Sequence, residues 1–206
     1  MLRSCAMRGI PNFVRSVIEF KFWLAQPPPV GEARPAHCPW CGIASRPVGM
    51  PLQLHGHGAR QRQLRGPAAP GASPSLVLCW VRRYLCQACG QGCTVGPSDI
   101  APRKLFSACA IALALGLWGL EGLPAREVRR QVSPWSVVGI NAHSSWRSLR
   151  RWARAVRDQQ LFKVRRTPEA FSLRQIAARA ASTLAARGRV QTLPLQQLAF
   201  FGALAP

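Results

Sequence analysis

Four cysteines in two closely spaced pairs carry the clearest chemical signal in the chain. Cys38 and Cys41 form one Cys-x-x-Cys pair, Cys86 and Cys89 form the other, and a glycine directly follows each pair. Such a turn can direct both of its sulfurs at one ion, and glycine lets the backbone turn tightly behind it. Four thiolates are the closed tetrahedral set of a structural zinc site. The spacing therefore predicts one structural Zn²⁺ held by Cys38, Cys41, Cys86 and Cys89.

Redox chemistry and disulfide formation are the two other uses of these cysteines. Cys38-Pro39-Trp40-Cys41 resembles the active site of glutaredoxins, in which the second cysteine lies in a helix. Here Gly42 and Pro47 follow and disfavour a helix. No secretory signal is visible, and the spacing fits a metal better than disulfides.

Other side chains near the pairs could replace a ligand. Cys93 follows Cys89 closely enough to compete with it, and it is the first substitute. His55 and His57 could also bind a metal, but four sulfurs are the better donors and these histidines are expected to be strand or loop residues. His37 adjoins the first pair and could support a ligand. Four thiolates leave no position for water, so no catalytic residue is predicted.

The charge of the chain points to a polyanionic partner. The 206 residues include 28 lysines and arginines against 7 acids, a formal net charge of +21. Nucleic acid is the first candidate and an anionic membrane surface the second. Arginine dominates, and its planar fork suits phosphate and guanine edges. GC-rich coding can produce the same composition. The positive charge therefore indicates a polyanionic partner only where the basic residues lie on one face of the protein.

The segments around the cysteines predict a small sheet after a leader. Residues 1–36 are a basic leader and a proline-rich spacer, and they make a poor signal peptide. An irregular strand is predicted over 52–64, a loop over 66–75 and a strong strand over 76–85. Two or three short antiparallel strands held by the two cysteine pairs make a zinc ribbon, which is too small to be stable without its metal.

Helices are predicted after residue 102. The run 105–120 is apolar throughout, but about 16 uncharged residues fall short of the roughly 20 that span a bilayer, so a buried core helix is predicted. A short helix is expected over 124–131, and another over 168–187 with Thr167 as its cap.

A further helix, over 143–158, separates apolar and basic residues, with Asn141 or Ser144 as its cap. Its apolar stripe consists of Trp146, Leu149, Trp152, Ala153 and Val156. Its opposite stripe consists of Arg147, Arg150, Arg151, Arg154 and Arg157. One face would pack on a core and the other would meet phosphate or a DNA groove. An apolar helix, a short helix, a turn and a basic helix follow one another as in a helix-turn-helix unit.

Three stretches together resemble a known family. They are 38–42, the run 55–62 that begins His-Gly-His-Gly, and 81–90, with its Arg-Arg-Tyr-Leu-Cys-Gln-Ala-Cys-Gly motif. Residues 37–160 resemble the N-terminal zinc-ribbon and helix-turn-helix region of bacterial insertion-sequence transposases, and related small bacterial zinc-ribbon proteins. The resemblance implies an end-binding module with the four cysteines as ligands. It also places four basic side chains near DNA: Arg60, Arg62, Arg82 and Arg83.

The chain departs from these transposases in its acids. Their catalytic domain holds two metal ions with three carboxylates. None of the seven acids here lies in a convincing strand beside another, so the nuclease part is expected to be absent. The acids are Glu19, Glu32, Asp99, Glu121, Glu127, Asp158 and Glu169.

The predicted fold is α+β: a zinc ribbon over 37–100, a helix-turn-helix-like unit over 101–160 and a helical extension over 161–206. The predicted function is that of a zinc-binding, non-enzymatic DNA-binding protein, a transposase-related accessory or remnant. Its DNA contacts would come from Arg60, Arg62, Arg82, Arg83, Arg147, Arg150, Arg151 and Arg154.

The expected partner is DNA, including transposon ends. No small-molecule substrate is expected, and the sequence leaves open whether the chain forms a homodimer. A cytoplasmic location is expected, and membrane association is not. Two alternatives remain. The first is a scaffold module that binds RNA or an acidic protein, and the second is a thiol redox protein.

Overall fold

The computed structural model describes residues 12–136, 146–166, 168–188 and 192–204. Within these ranges the chain is α+β, with a four-stranded mixed sheet and six helices. It divides into two compact units. The cysteine unit comprises Met1–Arg62 and Leu78–Ser98, and the helical unit comprises Gln63–Val77 and Asp99–Pro206.

The sheet consists of β1 (Phe13–Arg15), β2 (Leu54–Gly66), β3 (Ser75–Cys86) and β4 (Gly92–Gly96), in the order β1-β4-β3-β2. β4 pairs in parallel with β1 and antiparallel with β3. The connection between β2 and β3, residues 67–74, is too short for a parallel crossover, so these neighbours form a hairpin. The sheet thus differs from the two or three short antiparallel strands expected. It has a fourth strand and a parallel pair, and β2 and β3 are 13 and 12 residues long.

The cysteine unit has a small core. Trp23 of the short helix α1 (Phe22–Ala25) is fully buried in it. The proline-rich spacer is fixed to β3, because the Tyr84 hydroxyl donates to the Val30 carbonyl at 2.8 Å and the Arg82 guanidinium donates to the Pro28 carbonyl. The buried cluster consists of Trp23, Ala33, Cys38, Leu54, Tyr84, Cys86, Cys93 and Val95.

The helical unit is organised around one apolar helix. α2 (Ala108–Gly119) is buried from Ala108 to Leu117 and packs against α3 (Ala125–Val132), α4 (Arg147–Arg157), α5 (Leu173–Ala185) and α6 (Leu195–Gly202). A helix that is apolar on every side is stable where other elements surround it. No helix in the described part of the chain is long and apolar enough to cross a membrane.

The ends of the helices differ in places from those expected. α5 begins at Leu173 rather than near 168, because Ser172 and Gln175 form a reciprocal capping box that satisfies free amides of the first turn. α4 is described from Arg147, and the expected start at 143 lies outside the described residues. The expected caps Asn141, Ser144 and Thr167 lie outside the described residues.

A close approach between α2 and α5 gives a stability prediction. A Cβ added at Gly119 would lie 2.3 Å from the Ala178 nitrogen, which is backbone and cannot move aside alone. Alanine gains about 1 kcal/mol of helix propensity over glycine, but overpacking costs about 1–3 kcal/mol. We therefore expect Gly119→Ala to lower the urea midpoint of the helical signal by circular dichroism. Gly31→Ala is the control, since its Cβ would meet no atom within 4 Å, and equal midpoints would contradict the prediction.

Candidate metal centre

The first cysteine turn is closed by backbone hydrogen bonds. The Cys38 amide donates to the Ile43 carbonyl at 2.9 Å, and the Gly42 amide donates back to the Cys38 carbonyl at 2.9 Å. Gly42 has a φ of 74°, a left-handed conformation that glycine adopts without strain. The Trp40 amide points at the Cys38 sulfur at 3.4 Å. Glycine after the pair thus closes the turn, and an amide inside the turn supports a thiolate.

The second cysteine turn repeats the geometry of the first. The Cys86 amide donates to the Gln91 carbonyl at 3.0 Å, and the Gly90 amide donates to the Cys86 carbonyl at 2.9 Å. Gly90 has a φ of 69°. Two equivalent turns, distant in sequence, therefore present their cysteines in the same way.

The four cysteine sulfurs face one another. The Sγ atoms of Cys38 and Cys89 lie 3.8 Å apart, as do those of Cys41 and Cys86. All four sulfurs lie within 4.8 Å of one another. A zinc–sulfur bond of about 2.3 Å in a regular tetrahedron places sulfurs about 3.8 Å apart. The four cysteines could hold a metal ion, and their spacing is consistent with zinc.

Contacts outside the sulfurs hold the two turns together. The Trp40 indole Nε1 in the first turn donates to the Gly92 carbonyl at 3.1 Å, at the start of β4. The Gln87 amide in the second turn donates to the Gln53 carbonyl at 2.9 Å, just before β2. The sheet and these two bonds therefore help to hold both pairs in place within the folded unit.

The thiols differ in their tendency to ionise. Burial raises the pKa of Cys89 to about 12, and the neighbouring thiols of Cys86, Cys41 and Cys38 add to this. Burial also raises the pKa of Cys38, against hydrogen bonds from the Cys41 and Trp40 amides. At Cys86 burial acts in the same direction, but hydrogen bonds from Cys89 and Ala88 outweigh it and the pKa lies below its ordinary value. Cys38 and Cys89 thus keep their protons until a cation binds, whereas the lowered pKa of Cys86 lets that thiol ionise more readily than an ordinary one.

The substitute ligands are not part of this cluster. Cys93 is buried, and burial followed by the charges of Cys38 and Cys86 raises its pKa to about 11. The His55 Nε2 lies 2.8 Å from the Leu52 carbonyl, and His37 is exposed. Within the described residues, the four cysteines are the only group of three or more His, Cys, Asp or Glu side chains placed to share an ion.

The arginines of α4 lie on one side of the helix. The five side chains Arg147, Arg150, Arg151, Arg154 and Arg157 are exposed. The opposite side of the same turns is buried, through Trp146, Leu149, Trp152, Ala153 and Val156. The two stripes expected from the periodicity are therefore present in the structure.

The basic surface of α4 extends onto the segment before α2. Phe106 packs edge-to-face on Trp146 and Trp152, with ring centroids 5.5 and 5.1 Å apart. This contact holds the end of the preceding segment against α4, and Lys104 lies close enough to Arg151 to feel its charge, with Arg103 next to it in the chain. Burial and then the charges of Arg151 and Arg103 lower the pKa of Lys104, as a crowd of like charges does.

Sequence patterns did not identify Arg103 and Lys104 as part of this surface. Their adjacency in the chain was the only available signal. What brings them to α4 is the tertiary contact of Phe106, which has no local pattern.

The arginines of β2 and β3 have different environments. Arg60 and Arg83 are exposed. Arg62 is half-buried, and burial, followed by the charge of Arg60, lowers its pKa. The guanidinium of Arg82 donates to the carbonyls of Pro28 and, at 3.4 Å, Pro27. Arg60 and Arg83 are thus the two exposed residues of these four.

No protein-family model, no curated protein and no solved structure matches the chain.

Proposed function

We propose that the protein is a zinc-binding, non-enzymatic DNA-binding protein, a transposase-related accessory or remnant. The observation that carries this proposal is the one-sided arginine face of α4, beside Arg103 and Lys104. Phosphate is the partner for which closely spaced guanidiniums are best suited, because each planar fork can donate two hydrogen bonds. An ordinary solvated helix face would mix charges of both signs.

Zinc is the proposed ion, and its role is structural. Two equivalent turns with four sulfurs support a zinc ribbon in which Cys38, Cys41, Cys86 and Cys89 complete the coordination. A saturated set of thiolates has no position for a reacting water. The ion would cross-link the two cysteine turns through its bonds to the thiolates, and the basic surfaces of the chain would bind DNA.

The relation to transposase end-binding modules rests on the sequence resemblance, supported by the pairing of the cysteine turns. α3 and α4 would correspond to a helix-turn-helix, with residues 133–146 between them. Arg147, Arg150 and Arg154 are the candidates for base contacts. Arg60 and Arg83 would add phosphate contacts from the cysteine unit.

The test is the affinity of the zinc-loaded chain for duplex DNA across a range of salt concentrations, compared with a chain in which α4 is charge-reversed. Phosphate contacts release counterions, so log K should fall linearly with log salt, by about 0.9 for each phosphate neutralised. A slope near zero would remove the proposal. An affinity confined to RNA or to an acidic protein would favour the scaffold alternative.

Zinc affinity is expected to fall as the pH falls. The pKa values of Cys38 and Cys89 are raised, so these thiols carry protons at neutral pH that Zn²⁺ must displace. At pH 7, calorimetry in two buffers of different ionisation enthalpy should show release of about four protons per ion. Release of two or fewer would mean that fewer than four thiols bind the metal.

A further inference from the structure

A cavity of about 430 Å³ opens on the cysteine unit beside β2, β3 and β4. His57 and Arg60 of β2 line it from one side, and Arg83 of β3 and Thr94 of β4 line it from the other. Asn12 also contributes to the lining. Every one of these residues belongs to the cysteine unit, and the cavity is separate from the four metal-binding sulfurs.

Local backbone features bring these side chains together. Gly58 has a φ of 88° inside β2, the conformation of a glycine bulge, which shifts the alternation of side chains by one residue. His57 and Arg60, three positions apart, can therefore line the same cavity. On the other strands Arg83 pairs directly with Thr94, and Leu85 pairs with Gly92, whose missing side chain leaves room.

The chemistry of the lining is that of an anion site. Three of the lining side chains are basic or can donate from a ring nitrogen: His57, Arg60 and Arg83. Thr94 adds a hydroxyl and Asn12 an amide. Among the described residues that line the cavity, none carries a carboxylate. A tetrahedral oxyanion presents acceptors in all directions and matches donors that converge from three strands.

We propose that this cavity binds one phosphate group, held by Arg60 and Arg83 with His57, Thr94 and Asn12 completing its hydrogen bonds. The phosphate can come from a nucleic acid backbone or from free inorganic phosphate. Only the first of these sources rests on the proposed DNA-binding function.

The experiment titrates inorganic phosphate into the full zinc-loaded chain and follows backbone amide shifts by NMR. We expect saturable shifts at Gly92 and Thr94, and Arg83→Gln should weaken the fitted affinity about tenfold, the effect of losing one charge-assisted contact. Arg46→Gln is the matched control, because Arg46 is an exposed arginine of the same unit that does not line the cavity. Zinc content verifies that both variants are folded.

Absent shifts at Gly92 and Thr94, or equal losses in the two variants, would overturn the proposal. Because this titration contains no DNA, its outcome is independent of whether α4 binds DNA. Duplex DNA is then added to the phosphate-loaded protein. If DNA displaces the phosphate, the natural ligand of the cavity is a phosphate of the nucleic acid backbone. If the phosphate is retained, the natural ligand is free inorganic phosphate.

Discussion

Removing the metal from the full chain is expected to unfold the cysteine unit and to leave the helical unit folded. Hydrogen exchange read by mass spectrometry gives the result for each unit separately. After chelation, peptides covering 23–54 and 84–95 should exchange completely, whereas those covering 108–117 and 176–184 should keep their protection. The circular dichroism of the helices should change little.

The sizes of the two cores are the reason for this difference. The cysteine unit buries one cluster of eight described side chains, three of them cysteines. The core of the helical unit draws on all five of its helices, α2 to α6. A structural zinc site contributes an apparent 10–16 kcal/mol, roughly, whereas a whole domain is stable by only about 5–15 kcal/mol. The stabilising free energy lost with the ion is therefore larger than the stability that so small a core can provide.

A pair of cysteine variants separates loss of the ligand from loss of a thiol. Cys41→Ala removes an exposed member of the cluster and should abolish stoichiometric metal with the same exchange pattern as chelation. Cys109→Ala removes a buried thiol of the helical unit and should keep one ion per chain. Full protection of the cysteine unit after chelation would show that the ion is not what holds it together.

The cysteine cluster could be predicted because its signal is local. Two Cys-x-x-Cys-Gly stretches each encode one turn, and the glycine that follows takes the left-handed conformation in both. A turn of five residues needs little from the rest of the chain. That the two turns would meet followed from the number of sulfurs a zinc ion needs. Cys93 lies outside the metal cluster because of the register of β4 with β3, in which Cys93 pairs with Tyr84. The spacing of the cysteines in the sequence does not predict that register.

The strands that were missed are short and are fixed by distant partners. β4 is Gly-Cys-Thr-Val-Gly, which shows no useful alternation, and β1 has three residues. Their parallel pairing joins Val14 to Val95. The rest of the unit stabilises such strand pairs, so the local sequence does not predict them.

The amphipathic face of α4 was predictable from periodicity, while the environment of single arginines was not. Buried and exposed residues recur along α4 with the helical period of 3.6 residues. Arg82 was grouped with Arg83 as a DNA contact, but only the structure places its guanidinium on the Pro27 and Pro28 carbonyls. Neighbours on a strand point to opposite faces, so adjacent arginines have different partners.

Reversing the charge of two arginines on α4 is expected to lower DNA affinity by about two orders of magnitude at low salt. The variant is Arg150→Glu with Arg154→Glu, at exposed positions one turn apart. Two lost phosphate contacts should also reduce the slope of log K against log salt by about 2. Fluorescence anisotropy of a labelled duplex at several salt concentrations measures both quantities.

The same substitutions should leave α4 folded, which makes the loss of binding interpretable. Glutamate and arginine have similar helix propensities. New glutamates would lie one turn from Arg147, Arg151 and Arg157, and such opposite charges stabilise a helix by about 0.2–0.5 kcal/mol per pair. The unfolding midpoint of the variant should therefore be no lower than that of the wild type, because the buried stripe that holds α4 to its unit is unchanged.

The matched control reverses two arginines outside the proposed helix-turn-helix, Arg165→Glu with Arg166→Glu. Both are exposed, and the variant removes the same net charge from the same unit. If α4 contacts phosphate, only its reversal changes the salt slope by about 2, because at 0.15 M salt charges beyond about 8 Å are screened. Equal losses in both variants would mean that DNA responds to net charge alone. No loss in either would direct attention to RNA or an acidic protein as the partner of this face.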